Sequence, residues 1–314
     1  MNQSKKLTDG ALMLAIFMVL LFITIFIPLL SIISVFLLPV PFVIYASKYN
    51  WKPSLLMLAL AVILSVMFAT IFSLPTPIMM GLGGIMIGSA IYKNLSAYET
   101  LARGTFGFVI GLLFLFVFSQ VLFQVNIVED FRVMISDSLE MSTSILEDFG
   151  AEGQADEFQE MIQLQIDYII DLLPVFVLIS ALVFALVSQW ASYKILNRLE
   201  KLDLHFPPFR TLRMPSSIIW IYLVVLFLTL MDLNQSGTFF LIVQNVQVLA
   251  SILLAIQGFS FIFYYAHHKK LSKAIPIISI VLTVLLPIVF LTIVRIIGII
   301  DIGFNMRERL MKNK

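Results

Sequence analysis

The chain's most suggestive chemistry lies in its amide side chains. Gln120 and Gln124 stand one helical turn apart, and Gln244, Asn245 and Gln247 form a second group. A carboxamide both donates and accepts hydrogen bonds, so such clusters suit a neutral polar ligand, a base, a vitamin or a small amide, with no fixed charge to neutralise. Both groups sit at the outer ends of long apolar runs, where polar residues are costly and count as functional candidates by default. The plainer alternative is that the amides bond one another across helices and hold two spans together. Arg295 and Asp232 are placed near the same outer edge, where Arg295 either snorkels to the interface or clamps an anion. Gln189 and Gln257 would continue a polar path toward the inner side.

Other chemistries find no residues to carry them. The chain has no cysteine, which excludes disulfides, thiolate catalysis and Cys-ligated metals, and its 3 histidines make a dedicated metal site unexpected. No G-x-x-x-x-G-K-[ST], H-E-x-x-H or G-x-S-x-G pattern is present. The expectation is therefore a protein that is not an enzyme, holds no cofactor, and takes any ATP energy from a partner. No span carries a central carboxylate, so a proton relay is not expected either.

The elements that must position these amides are membrane spans. Of 314 residues, 60% are hydrophobic and 12% charged, with mean hydropathy +1.02, far from the soluble norm of about half apolar and a quarter charged. A net charge of +1 gives no reason to expect nucleic acid. Apolar runs of roughly spanning length cover Ala11–Ile27, Leu29–Ser47, Ser54–Leu74, Ile78–Tyr92, Leu101–Phe123, Leu172–Tyr193, Ser217–Met231, Phe239–Ala266 and Ile275–Ile300. The break after the first run belongs near Pro28, and that run is expected to stay as an anchor.

This predicts an all-α, polytopic helix bundle of eight to nine transmembrane helices, with the lipid bilayer as its first partner. Nine follows if the last run crosses; eight follows if it is re-entrant, interrupted by Pro276 and Pro287. Crossing is favoured on its 26-residue length. With the N-terminus on the cytoplasmic side, fourteen Lys and Arg from Lys5 to Lys273 fall on the inner side. The basic tail, Arg307 to Lys314, would then lie outside.

Twelve of the 19 acids fall between residues 126 and 171, against the single base Arg132. Apolar residues recur there at helical spacing, Val128, Phe131, Ile135 and Leu139, with Gly150 as a C-cap, so the segment reads as an external amphipathic helical hairpin. It is either a solvated loop or a lid over an outward pocket. Gly81, Gly84 and Gly88 share a three-then-four spacing with Gly104, Gly107 and Gly111, which lets spans four and five pack closely on each other. Residues 194–213, KILNRLEKLDLHFPPFRTLR, read as a cytoplasmic amphipathic connector between a six-span part, 1–200, and a three-span part, 214–314. Ala11 and Ala15 make a further small face on the first span.

The Lys5–Thr8 start, the glycine-rich fourth span, the acidic segment and Pro207-Pro208-Phe209-Arg210…Arg213-Met214-Pro215 together resemble the YybS-like family of bacterial multi-pass membrane proteins, whose function is unknown. Leu7–Ala15 is similar to the first helix of substrate-binding S components of energy-coupling-factor transporters. That resemblance implies a six-helix substrate-binding fold and a coupling subunit contacted through Ala11 and Ala15. The acidic insert and the extra spans depart from it. The reading is a binding or transport component for a small solute; the alternative is a scaffold that binds partners through the acidic hairpin and the connector.

Overall fold

The computed structural model describes residues 3–124, 126–148, 161–162, 165–231 and 237–312, and every regular element among them is helical. The chain forms two compact units, Met1–Phe206 and Pro207–Lys314.

The first unit contains α1 (Gln3–Phe26), α2 (Pro28–Leu37), α3 (Val40–Tyr49), α4 (Trp51–Phe68), α5 (Pro75–Tyr92), α6 (Ala97–Phe123), α7 (Ile127–Asp148) and α8 (Leu173–Glu200). The expected break is present. Ile27 leaves helical geometry at φ −122, ψ 87, and Pro28 opens α2, where its missing N–H costs nothing. Helices α2 and α3 together make one 22-residue apolar span, Pro28–Tyr49. A capping box starts α6: the Ser96 hydroxyl accepts from the Glu99 amide at 3.3 Å, and the Glu99 carboxylate accepts from the Ser96 amide at 3.0 Å.

The glycine faces pack helices, but they do not face each other. A Cβ at Gly84 would meet the Pro39 carbonyl oxygen at 2.6 Å, and one at Gly88 the Val43 carbonyl oxygen at 2.5 Å, so this face takes the backbone of α3. Gly81 takes Leu58 of α4. Gly107 and Gly111 instead meet α5 at Leu82 and Met79, and Gly104 meets Ile87. Helix α5 is thus a middle layer, with Gly83 leaving room for the Phe108 ring on its α6 side. Spacing reveals a small face; it cannot say which neighbour fills it.

At one end of this unit α1, α3 and α8 are tied by charge. Lys48 bridges Glu200 at 2.7 Å and Asp9 at 3.9 Å, and the Tyr49 hydroxyl donates to Asp9 at 2.9 Å. The acidic segment is pinned by Arg132 of α7, which pairs with Asp167 of helical residues 165–171 at 2.8 Å; Leu139 and Ile166 are buried in the two arms. Burial, then the neighbouring Asp167, pushes the Asp171 carboxyl up, with Arg132 opposing. Gly150 and the acids Glu152, Asp156, Glu157 and Glu160 lie outside the described residues.

The expected amphipathic connector helix is corrected. Lys194–Glu200 are the closing turns of α8, which ends where Lys201 turns left-handed at φ 53. Beyond it the chain is irregular. The Asn197 amide holds it there, accepting from the Leu204 amide at 2.9 Å and donating to its carbonyl at 2.8 Å.

The second unit contains α9 (Ser217–Thr229), α10 (Thr238–His268), α11 (Ala274–Leu285), α12 (Pro287–Gly303) and α13 (Met306–Lys312). Contacts between α10 and α12 pair Ser251 with Arg295, Leu254 with Gly298 and Gln257 with Asp301, so the two run parallel. Helix α11 must therefore return antiparallel between them. The last apolar run is thus two helices, not one crossing span. The break is at Leu286, φ −132, ψ 65, forced by Pro287. It leaves Leu286 satisfied: its amide donates to Leu282 at 2.9 Å and its carbonyl accepts from Phe290 at 3.1 Å.

One consequence reverses the expected tail. Arg307 donates to the Arg210 carbonyl at 2.8 Å, and Arg213 pairs with Glu308 at 3.2 Å, so the tail and the entering chain share one end of this unit. Single cysteines placed at Ser272 and at exposed Met311 in this cysteine-free chain are expected to label from the same membrane face. Labelling from opposite faces would refute this topology. Among the described residues, seven helical spans are long and apolar enough to cross, while α9 and α11 are apolar but shorter.

Candidate functional site

The second unit carries a polar seam along α10. Gln244, Gln247 and Ser251 recur at helical spacing on one side of an otherwise apolar helix, followed by Gln257 and Ser260 toward the chain-entry end. Gln247 accepts from the Thr229 hydroxyl of α9 at 3.1 Å. Arg295 of α12 donates to Ser251 at 3.2 Å, and its guanidinium lies 5.6 Å from the Tyr222 ring. Ser251 lies near the middle of α10, so Arg295 is at mid-helix rather than at the outer edge. Snorkelling to that edge is not what it does; it is tethered by hydroxyls and an aromatic face.

Gln244 is the unusual member. The residue is only 8% exposed, yet among the described residues neither its amide oxygen nor its nitrogen has a hydrogen-bond partner. Buried amides are normally paired, and leaving one unpaired costs about 1–3 kcal/mol. Asn245 turns its nitrogen back onto the Leu241 carbonyl at 2.8 Å. Gln120 and Gln124 belong to the first unit, exposed at the far end of α6, where Gln124 caps the helix in a left-handed conformation. The expected pocket is therefore split between the two units. Only Gln244, Gln247 and Arg295 fall along one seam, and Asp232 lies outside the described residues.

The expected inner polar path consists of structural pins. Gln189 is fully buried and donates to the Ala97 carbonyl at 2.9 Å and the Tyr193 hydroxyl at 2.8 Å. Gln257 donates to Asp301 at 2.6 Å and accepts from the Met214 amide at 2.9 Å. Asp301 in turn pairs with Arg307 at 2.9 Å, both side chains 3% exposed. Arg307 also donates to Ser260 at 3.0 Å, and Ser260 donates to the Phe209 and Leu212 carbonyls, each at 2.9 Å. Beside this network is a cavity of about 220 Å³ bounded by Arg213, Met214, Asn305 and the ion pair.

Sequence reasoning placed Arg307 in an external basic tail and passed over Asp301. A signal was available: an acid closing an apolar run, six residues before a base, with Gly303 between them. Gly258 and Gly298 were also missed, because each stands alone without a repeating small face. A Cβ at either would run into backbone, the Val294 carbonyl from Gly258 and the Leu254 carbonyl from Gly298. This contact sets the close approach of α10 and α12 that brings Arg295 to Ser251 and Asp301 to Gln257.

A family model described as predicted membrane protein (DUF2232) matches residues 15–302. The chain belongs to the DUF2232 family. It is a multi-pass membrane protein, as its apolar helices require. It is also similar to the uncharacterized protein YybS of Bacillus subtilis (strain 168), 25% identical over 309 residues, covering 98% of this chain and 99% of the relative. No solved structure matches. The DUF2232 match takes in the α10–α12 seam and Asp301, and stops before Arg307.

Proposed function

We propose that this protein is a membrane component that binds or transports a small polar solute, with Gln244, Gln247 and Arg295 as its binding groups. The observation that supports this reading is the Gln244 amide, buried with both its atoms unpartnered beside a seam of hydrogen-bonding groups in an apolar helix. A ligand offering one donor and one acceptor would complete it. Arg295 adds one positive charge at the same seam, so a solute that is neutral or carries a single negative group fits best. Asn245, next to Gln244 on α10, would stand beside the same seam.

Energy, if transport requires it, would come from a separate ATPase subunit in or beneath the bacterial cytoplasmic membrane, with the N-terminus on the cytoplasmic side. Ala11 and Ala15 are exposed on α1, among exposed Leu7, Leu12, Ile16 and Val19, a face suited to a partner helix. The scaffold alternative has less support. Within the 194–213 connector it would use for docking, the Phe209, Arg210 and Leu212 carbonyls are already bonded to Ser260 and Arg307.

Gln244→Leu separates a binding role from a packing role. It is expected to remove co-purifying solute, read by mass spectrometry of small molecules released from the parent and the variant. Thermal stability should hold or rise, since an unpaired amide costs about 1–3 kcal/mol. An unchanged set of released molecules would reject the reading.

A further inference from the structure

At its chain-entry end the second unit holds a cavity of about 840 Å³ lined by both basic and apolar side chains. Its cationic lining is Arg210, Lys270 and Lys273, joined by the imidazoles of His267 and His268, and its apolar lining includes Phe209, Phe263, Leu271 and Ile277. No carboxylate is among the lining residues. Among the described residues Arg210, Lys270 and Lys273 make no ion pair. Gathering unpaired like charges around one cavity is unfavourable unless an anion offsets them.

The cations are held by structure. Arg210 sits on the single turn Phe209–Thr211, whose carbonyls are fixed by Ser260 and Arg307, and Phe209 packs edge-on against Phe263 at 5.6 Å. Lys270 is left-handed at φ 52, in a tight turn closed by the Leu271 amide on the Ala266 carbonyl at 2.8 Å. The His268 ring is stacked on Tyr264, 5.8 Å apart and 11° from parallel. The first turn of α11, with Pro276 and Ile277 in the lining, adds the positive end of a helix.

We propose that this cavity is a binding site for the phosphodiester headgroup of an anionic membrane phospholipid, whose acyl chains lie on the adjoining apolar wall. A basic pocket between membrane helices recognises such headgroups. The apolar wall selects the lipid over a free phosphate: Leu271 and Ile277 are 42% and 56% exposed beside the lysines, a surface that a water-soluble anion would leave uncovered.

The test uses the full chain in nanodiscs containing phosphatidylglycerol and phosphatidylcholine, with retained lipid counted by native mass spectrometry after detergent extraction. The parent is expected to retain phosphatidylglycerol preferentially, and Arg210→Gln/Lys270→Gln/Lys273→Gln to lose that preference at least tenfold. Lys5→Gln/Lys6→Gln/Lys52→Gln, an equal charge change in the first unit, should retain it. Equal loss in both variants would overturn the proposal in favour of general charge attraction. Displacement of the lipid by millimolar inorganic phosphate would overturn it in favour of a soluble anion. Thermal unfolding in phosphatidylcholine alone checks that the triple variant folds; if it does not, the exposed single changes Lys270→Gln and Lys273→Gln carry the same comparison, and no loss of preference in either would overturn the site.

Discussion

Replacing Arg307 by alanine should be the most damaging single change to the second unit. The substitution leaves the Asp301 carboxylate buried, with Gln257 as its remaining hydrogen-bond partner among the described residues, and frees the Arg210 carbonyl and the Ser260 hydroxyl from their guanidinium bonds. Removing one partner of a buried ion pair costs about 3–5 kcal/mol, because the stranded charge keeps its desolvation penalty. For a protein of this size that corresponds to a fall of roughly 5–8 °C in the unfolding midpoint in detergent. Asp301→Leu should behave similarly, stranding the guanidinium instead. The double variant Asp301→Leu/Arg307→Ala should recover much of the loss, since no unpaired charge remains, and the cycle of the four proteins isolates the coupling. Single variants within about 0.5 kcal/mol of the parent, the range of an ordinary surface change, would show that the pair does not hold the tail against the entering chain.

The second large effect is expected at the crossing of α10 and α12. A side chain at Gly258 or Gly298 meets a backbone carbonyl, and backbone cannot rotate away as a side chain can. Gly258→Val should force the helices apart. Because the bonds on either side, Arg295 to Ser251 and Asp301 to Gln257, depend on the same approach, they should be lost with it. The expected loss is about 3 kcal/mol or more, at the upper end for overpacking. Gly303→Ala is the control: its nearest neighbour would be the Ile219 side chain at 3.7 Å, an ordinary contact, and stability should be unchanged. Equal tolerance of both variants would contradict the crossing.

These two sites also show what the sequence could and could not reveal. The spans of the first unit were legible because long apolar runs and Pro28 are local signals, and each boundary depends on a few adjacent residues. The capping box at Ser96 and Glu99 is equally local. The path of the last run was not legible. Its 26 residues suffice for a crossing, and only the partners of Arg295 and Asp301, more than forty residues away on α10, show that the chain doubles back at Leu286. The expected crossing misplaced the tail for the same reason, setting its basic residues against the positive-inside pattern of the earlier loops. Of the candidate site, the amides stand out in the sequence as polar residues within or at the ends of apolar runs. What distinguishes Gln244, left unpaired, from Gln257, fully engaged, is set by neighbours distant in sequence.

The break at Leu286 bears on which bilayers suit this protein. At 1.5 Å per residue, α11 with its 12 residues is about 18 Å long, and α9 with its 13 is about 20 Å. A hydrocarbon core is about 30 Å thick, and much of the surface of both helices is exposed and apolar. A short hydrophobic helix draws the surrounding lipid thinner, at a cost of fractions of a kcal/mol per Å. The second unit should therefore be sensitive to acyl-chain length: most stable in short-chain membranes, and pressed by thick ones toward tilting or self-association.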